Sequence, residues 1–274
     1  MIPATEADRP GIEAFLQARL HQAMFPLSNL ADYGMAGGHE YAVRFWITRL
    51  ASQITDVLTV TDGGMVMPLL PSRGFADAAI HLKGLNVTGM AGPKEDVRGL
   101  EACGLSDRSR SFDDNEPQFL LDLADMVVPD GPGQLVPLQA APAKVIKSWL
   151  RDYDRNTLNA SIAGLDAQVT QTYARYCANE SHMVLMDGGT PLAMTGFNAR
   201  LPEIVQLGGV YTPPDLRGHG HARRAVALHL AQVAAKGVTQ ATLFSASAAA
   251  ARAYRALGFM RVGTWTLILF NGAT

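Results

Sequence analysis

Apolar residues recur along this chain with two periods. Phe15, Leu16, Leu20 and Met24 recur at helical spacing, which predicts a helix over about residues 9–23. Short apolar or alternating runs at 41–46, 54–61 and 65–70 predict strands, the last two joined by a hairpin turn at Asp62-Gly63-Gly64. A helix follows Gly92-Pro93 over about 94–103, and 119–127 reads as a further strand. The stretch Pro129-Asp130-Gly131-Pro132-Gly133 has no period and reads as a linker. Beyond it the pattern is cleaner: a strand at 134–138, helices at 142–157 and 164–179, and strands at 182–186, 191–199 and 204–211. A glycine-rich turn then leads into a helix that ends near Gly237. A strand at 241–245, a helix at 247–257 and a strand at 260–270 close the chain. The order of elements is β-α-α-β-β-β-α-β-α-β, that of an α/β protein. The first half repeats the plan more loosely, so two domains are expected, 1–132 and 133–274.

Composition narrows the setting. With 274 residues, 48% of them hydrophobic and 18% charged, the chain can bury a sizeable core. A net charge of −2 and a pI near 6.4 speak against a nucleic-acid surface, which is normally basic. No run approaches the ~18 apolar residues that span a bilayer. The start, MIPATEADRPGIEAF, lacks a cationic segment followed by an apolar one, so a cytoplasmic protein is expected. Cys103 and Cys177 are too few for a disulfide framework or a cysteine-based metal site. His219, His221 and His229 have no carboxylate at helical ligand spacing, so turn and surface roles are expected for them and no metal.

The candidate chemistry lies in Gly208 to Ala225, GGVYTPPDLRGHGHARRA. An apolar strand meets Pro213-Pro214, then Arg217-Gly218-His219-Gly220-His221-Ala222, then an alanine-rich helix. Glycines let a ligand approach the backbone, and a helix start offers unpaired N–H groups at the positive end of its dipole. Such a place suits a phosphate. A plain left-handed strand-to-helix turn accounts for the same residues.

The loop also resembles the acyl-CoA loop of the GNAT acetyltransferase superfamily, Arg/Gln-x-x-Gly-x-Gly/Ala, with Arg217, Gly220 and Ala222 in the fixed places. Downstream, SAAAARAYRALGF resembles the family's Asn-x-x-Ala-x-x-Leu-Tyr followed by Gly-Phe. Ala250, Tyr254, Gly258 and Phe259 match, whereas Ser247 replaces asparagine and Ala253 replaces leucine. The resemblance covers about residues 180–270. It implies a mixed, mostly antiparallel sheet in two tandem GNAT-like halves, with acetyl-CoA as co-substrate. The expected contacts are Val210, Tyr211, Thr212, Arg217, Gly218, His219, Gly220, His221, Ala222, Arg223 and Ser247, with a backbone N–H near Val210 polarising the thioester carbonyl. Tyr254 is the implied general acid, since a phenol can protonate a departing thiolate; packing of its ring against the sheet is the alternative. Glu203, at the start of the 204–211 strand, is the candidate base, with His182 or no dedicated base as alternatives. The implied activity is N-acetyl transfer to a primary amine of a small-molecule or peptide acceptor. Two other readings stay open: a non-catalytic CoA-sensing module, and transfer from another acyl-CoA. In the first half, Val87 to Pro93 reads as a degenerate copy of the loop, lacking the arginine and losing an N–H at Pro93.

Overall fold

A computed structural model describes residues 1–157 and 164–272. The chain forms two compact units, Met1–Glu116 with Gly263–Thr274, and Pro117–Val262. The division expected at 132/133 falls inside the second unit.

The first unit opens with β1 (Ile2–Pro3), α1 (Arg9–Gln17), α2 (Met24–Tyr33), β2 (Val43–Leu50), β3 (Gln53–Thr61) and β4 (Met65–Leu69). It continues with α3 (Phe75–Ile80), β5 (Gly89–Pro93), α4 (Lys94–Glu101) and the start of β6 (Arg110–Asp122). The helix expected over 9–23 ends at Gln17, and a separate helix, α2, follows. Val43, Phe45 and Ile47 alternate inward along β2, the period-2 signature of a strand with one buried face. Residues 89–93 form strand β5, not a loop.

The second unit takes the end of β6, then β7 (Gln134–Pro137), α5 (Ala143–Thr157), α6 (Leu165–Ala178), β8 (His182–Asp187), β9 (Thr190–Arg200) and β10 (Ile204–Tyr211). It ends with α7 (His221–Ala234), β11 (Gln240–Phe244), α8 (Ala248–Arg255) and the start of β12 (Met260–Phe270). α5 buries Ile146, Trp149 and Leu150, one face at helical spacing. Leu192 to Phe197 of β9 are buried on both faces, so that strand is apolar without alternation.

Strand neighbours run β1-β2-β3-β4-β5-β12 in the first unit and β7-β8-β9-β10-β11-β6 in the second. Every pairing is antiparallel except β4 with β5 and β10 with β11. Each unit therefore has the same β-α-α-β-β-β-α-β-α-β plan, strand for strand. The last place in each sheet is filled from the other end of the sequence. Leu267 pairs with Ala91 of β5, and Leu121 with Ala241 of β11. The C-terminal strand, expected to close the second half, belongs to the first unit's sheet over its paired residues.

β6 is integral to the second core. Phe119 and Leu121 are buried there with Phe197, Leu207, Val226 and Leu243. Truncating one buried phenylalanine costs about 3–5 kcal/mol, so residues 117–122 are indispensable to that unit. The parallel pairs also locate the crossovers. β4 reaches β5 through Pro71-Ser72-Arg73-Gly74 and α3, so the counterpart of the 212–220 loop is 70–74. The expected copy at Val87 to Pro93 is corrected accordingly. The two Asp-Gly-Gly turns are not equivalent either, since Asp62 joins β3 to β4 and Asp187 joins β8 to β9.

Candidate active site

β10 and β11 pair from Ile204 with Gln240 to Leu207 with Leu243, and no further. β10 runs on to Tyr211, whereas the chain after β11 turns away at Ser245 to start α8. The parallel strands therefore part beyond Leu207. On the other edge, Gly208 pairs with Gly196 and Tyr211 with Met194, so Gly209 and Val210 together face Thr195. This is a bulge, with Gly209 at φ +61°, a conformation that favours glycine. A bulge leaves one residue out of the ladder and re-aims its backbone groups.

Val210 and Tyr254 pack on the same core cluster, which includes Leu207, Leu243, Ala251 and Phe259. Tyr254 meets Phe259 edge to face, ring centroids 5.8 Å apart. The Tyr211 hydroxyl donates to the Asp152 carboxylate of α5. Burial, then that hydrogen bond and the negative charge, push the Tyr211 pKa up, opposed by Arg217 nearby. Asp152 carried no signal in the sequence, because a carboxylate on an amphipathic helix reads as solvated.

The loop after β10 holds its shape from within. Arg217 Nε donates to the Thr212 carbonyl at 3.1 Å, and the Leu216 N–H to Pro213 at 2.9 Å. Gly218 and Gly220 adopt φ +84° and +81°, and Gly220 is the N-cap of α7. Among the described residues, no hydrogen bond engages the N–H groups of Gly218 through Arg223. The first turn of α7 carries no acidic residue, and its cap residue has no side chain to fill the site. A Cβ on Gly218 would meet nothing within 4 Å. These features together suit a phosphate group at a helix start.

Other residues stand differently. Arg224 donates to the carbonyls of Pro132 and Pro129, tying the linker down. Ser247 Oγ accepts the Ala250 N–H at 3.1 Å, capping α8. Glu203 is exposed at the far end of β10, seven residues and about 23 Å of strand from Val210. Its carbonyl accepts from Thr239 and Gln240, anchoring the start of β11. Val210 and Tyr254 thus share a core cluster beside the parting of β10 and β11, Tyr211 packs with Trp149 in another cluster, Thr212 and the 217–223 loop follow β10 in the chain, and Glu203 lies at the strand's other end. His219 and His221 stack on each other, 5.8 Å between centroids. His229 is buried against Phe197 at 3.9 Å, not on the surface as expected, and burial pushes its pKa down to about 3. Among the described residues no three His, Cys, Asp or Glu side chains gather as they would around a metal ion. No helix among them is long and apolar enough to cross a membrane.

Residues 146–259, within the second unit, match the sequence model of the Acetyltransferase (GNAT) family. No curated protein matches the chain by sequence. Solved structures match nearly its whole length. A Drosophila protein has a TM-score of 0.65 at 12% identity, over 97% of both chains. A GCN5-related N-acetyltransferase from Kribbella flavida has a TM-score of 0.56 at 15% identity, over 93% of this chain and 95% of that one. A tandem GNAT protein from the clavulanic acid biosynthesis pathway has a TM-score of 0.54 at 17% identity, over 97% and 96%. At these identities the likeness is one of fold: a GNAT-like mixed sheet, mostly antiparallel, flanked by helices.

Proposed function

We propose that the protein is an acyl-CoA-dependent N-acyltransferase, moving the acetyl group of acetyl-CoA to a primary amine on a small molecule or peptide. The observation that carries this reading is the parting of β10 from β11, leading directly into a helix start whose N–H groups are unengaged. Acetyl-CoA supplies an acyl group activated as a thioester. In this reading the N–H groups of Gly218 to Ala222 bind its pyrophosphate, with Arg217 holding the loop. The β10 backbone from Val210 to Thr212 lines the pantetheine path. The bulge directs the Val210 N–H at the carbonyl oxygen, where developing negative charge is best stabilised by a fixed donor. Tyr254 holds the proton that a departing thiolate takes up, and the pKa values of phenol and thiol, about 10 and 8.5, allow that transfer. The first unit is a degenerate GNAT-like half. Its corresponding crossover is filled by its own carboxylates, Asp56 and Asp96.

Calorimetry with acetyl-CoA tests the site, with one equivalent per chain expected. Two equivalents would place a second site in the first unit. A thiol-release screen over amines and amino acids then identifies the acceptor. In that assay Tyr254→Phe lowers kcat by about 10²- to 10⁴-fold, while the KM for acetyl-CoA moves little. A loss confined to KM would assign Tyr254 to packing.

A further inference from the structure

β8 opens on His182, whose side chain is 1% exposed. Its ring lies flat against Tyr176 of α6, with centroids 3.4 Å apart and planes 11° from parallel. Bare backbone takes up the space around it. A Cβ on Gly196 would come within 2.1 Å of the ring, and one on Gly209 within 2.5 Å of Nε2. Nδ1 shares a hydrogen bond of 2.9 Å with Ser181 Oγ, whereas Nε2 is buried and has no partner. Burial, aided by the charges of His229, Arg175 and Arg200, pushes the pKa down to about 3, so the ring is neutral near pH 7.

Packing alone does not account for a histidine in this slot. A phenylalanine would fill it without burying an unpaired nitrogen, and buried polar atoms without partners are rare. The two residues whose missing Cβ atoms admit the ring lie on β9 and β10, and one of them, Gly209, is within the bulge. At φ +61° only a residue without a Cβ sits easily, and the same missing Cβ leaves the room that the ring fills. His182 is the side chain that Gly209 meets there.

We propose that His182 is a positioning residue for acyl transfer: wedged between Tyr176 and Gly196, it sets its Nε2 edge against Gly209 and so keeps the Val210 N–H aimed at the thioester carbonyl. It acts through the backbone of the bulge, not by taking a proton from the amine. The inference rests on the acyltransferase reading above and adds to it a residue on a strand that carries none of the loop or helix motifs.

Acetyl-CoA labelled with ¹³C at the thioester carbonyl tests this without knowledge of the acceptor. The carbonyl stretch is read by difference infrared spectroscopy on the full-length protein, and affinity by calorimetry. Binding to the wild type is expected to move the band to lower frequency. His182→Phe keeps a ring against Tyr176 but lacks Nε2, and should lose most of that shift with affinity changed less than about threefold. His182→Gln returns a polar atom to the slot and should recover part of it. Gly209→Ala attacks the contact from the other side and should also lose it, so the test does not depend on one variant folding. With an amine acceptor in hand, His182→Phe should lower kcat by about 10- to 100-fold at unchanged KM for acetyl-CoA. A full shift in folded His182→Phe overturns the proposal and leaves the acyltransferase reading standing. Failure of the wild type to bind acetyl-CoA overturns both.

Discussion

The two crossovers of this chain have the same place in the same topology and opposite chemistry. In the second unit the loop after β10 ends at Gly220, and the fourteen-residue α7 begins His-Ala-Arg-Arg, with no acid in its first turn. In the first unit the loop after β4 ends at Gly74, and the six-residue α3 carries Asp77 in its first turn. There the Ser72 N–H and hydroxyl both donate to Asp56, at 2.9 and 2.7 Å. The Leu70 N–H donates to Asp96 at 3.1 Å. One loop presents free donors to an anion. The other gives two of its N–H groups, those of Leu70 and Ser72, to carboxylates whose charge would repel a phosphate. In the acyltransferase reading the sheet alone does not make a CoA site; what separates the two crossovers is the carboxylates that the first one carries against its N–H groups.

The largest effect that can break this comparison is at the glycine cap. Gly220→Val puts a β-branched side chain at φ +81° and a bulky group over the N–H cluster, so acetyl-CoA affinity should fall more than about 100-fold. Gly74→Ala, at an ordinary φ of −71° and with only Ser72 Oγ within 4 Å of the new Cβ, should leave affinity unchanged. Calorimetry on both variants decides. An unchanged affinity in Gly220→Val would move the phosphate site elsewhere.

Much of the second unit was legible because its signals are local. The glycine loop, the Ser247 cap and the helical run to Leu257 each lie within about a dozen residues, and the structure forms a helix or turn at each. What escaped is long-range. The strand at 260–270 has the period of any strand, and nothing in it tells that Trp265 to Leu269 pair with β5. Val87 to Pro93 imitates a glycine loop, but a parallel partner in β4 draws residues 89–93 into the sheet. Helix α2 was missed because Pro26 lies near its start, where proline is tolerated, and reads as a breaker. The pair Tyr211 and Asp152, 59 residues apart, and the wedge of His182 over Gly196 and Gly209 exist only once the strands are laid side by side.

A smaller effect separates the units by acid. His182 and His229 titrate near 6.5 when unfolded and near 3 when buried. Between those values the unfolded chain binds protons that the folded second unit does not, so stability falls as pH drops below 6.5. Each imidazole contributes on the order of 1 kcal/mol per pH unit, about 2 kcal/mol between pH 6.5 and 5.5 for the pair. In the first unit two carboxyls act with the opposite sign. Burial, then the charge of Asp114, pushes Glu116 up from 4.5 to about 7, and burial raises Asp96. At these two carboxyls the folded unit therefore holds protons that the unfolded chain has released, a gain in stability as pH falls from 7 towards 4.5 that opposes the loss at His21, which burial lowers. Hydrogen exchange, corrected for intrinsic rates, should show β8 and β9 losing protection at pH 5.5 while β3 and β4 do not. The double variant His182→Phe, His229→Phe should flatten the response of the second unit. Equal protection of β8 at both pH values would contradict the neutral buried imidazoles.

The smallest effect tests whether the first crossover is closed by its own carboxylate. Asp56 is 1% exposed and accepts three hydrogen bonds, from the Ser72 N–H, the Ser72 hydroxyl and Thr55 Oγ1. Asp56→Asn keeps one carbonyl oxygen for the loop but replaces charge-assisted bonds with neutral ones and leaves an amide to be satisfied in a buried place. The expected cost is about 1 kcal/mol in the stability of the first unit, read from the shift in a urea melt at constant slope. Acetyl-CoA stoichiometry should stay at one, because α3 remains too short and Asp96 still holds the Leu70 N–H. If Asp56→Asn instead created a second calorimetric site, the carboxylate alone would have been the barrier, and the first unit would be a masked acyl-CoA site, not a degenerate one.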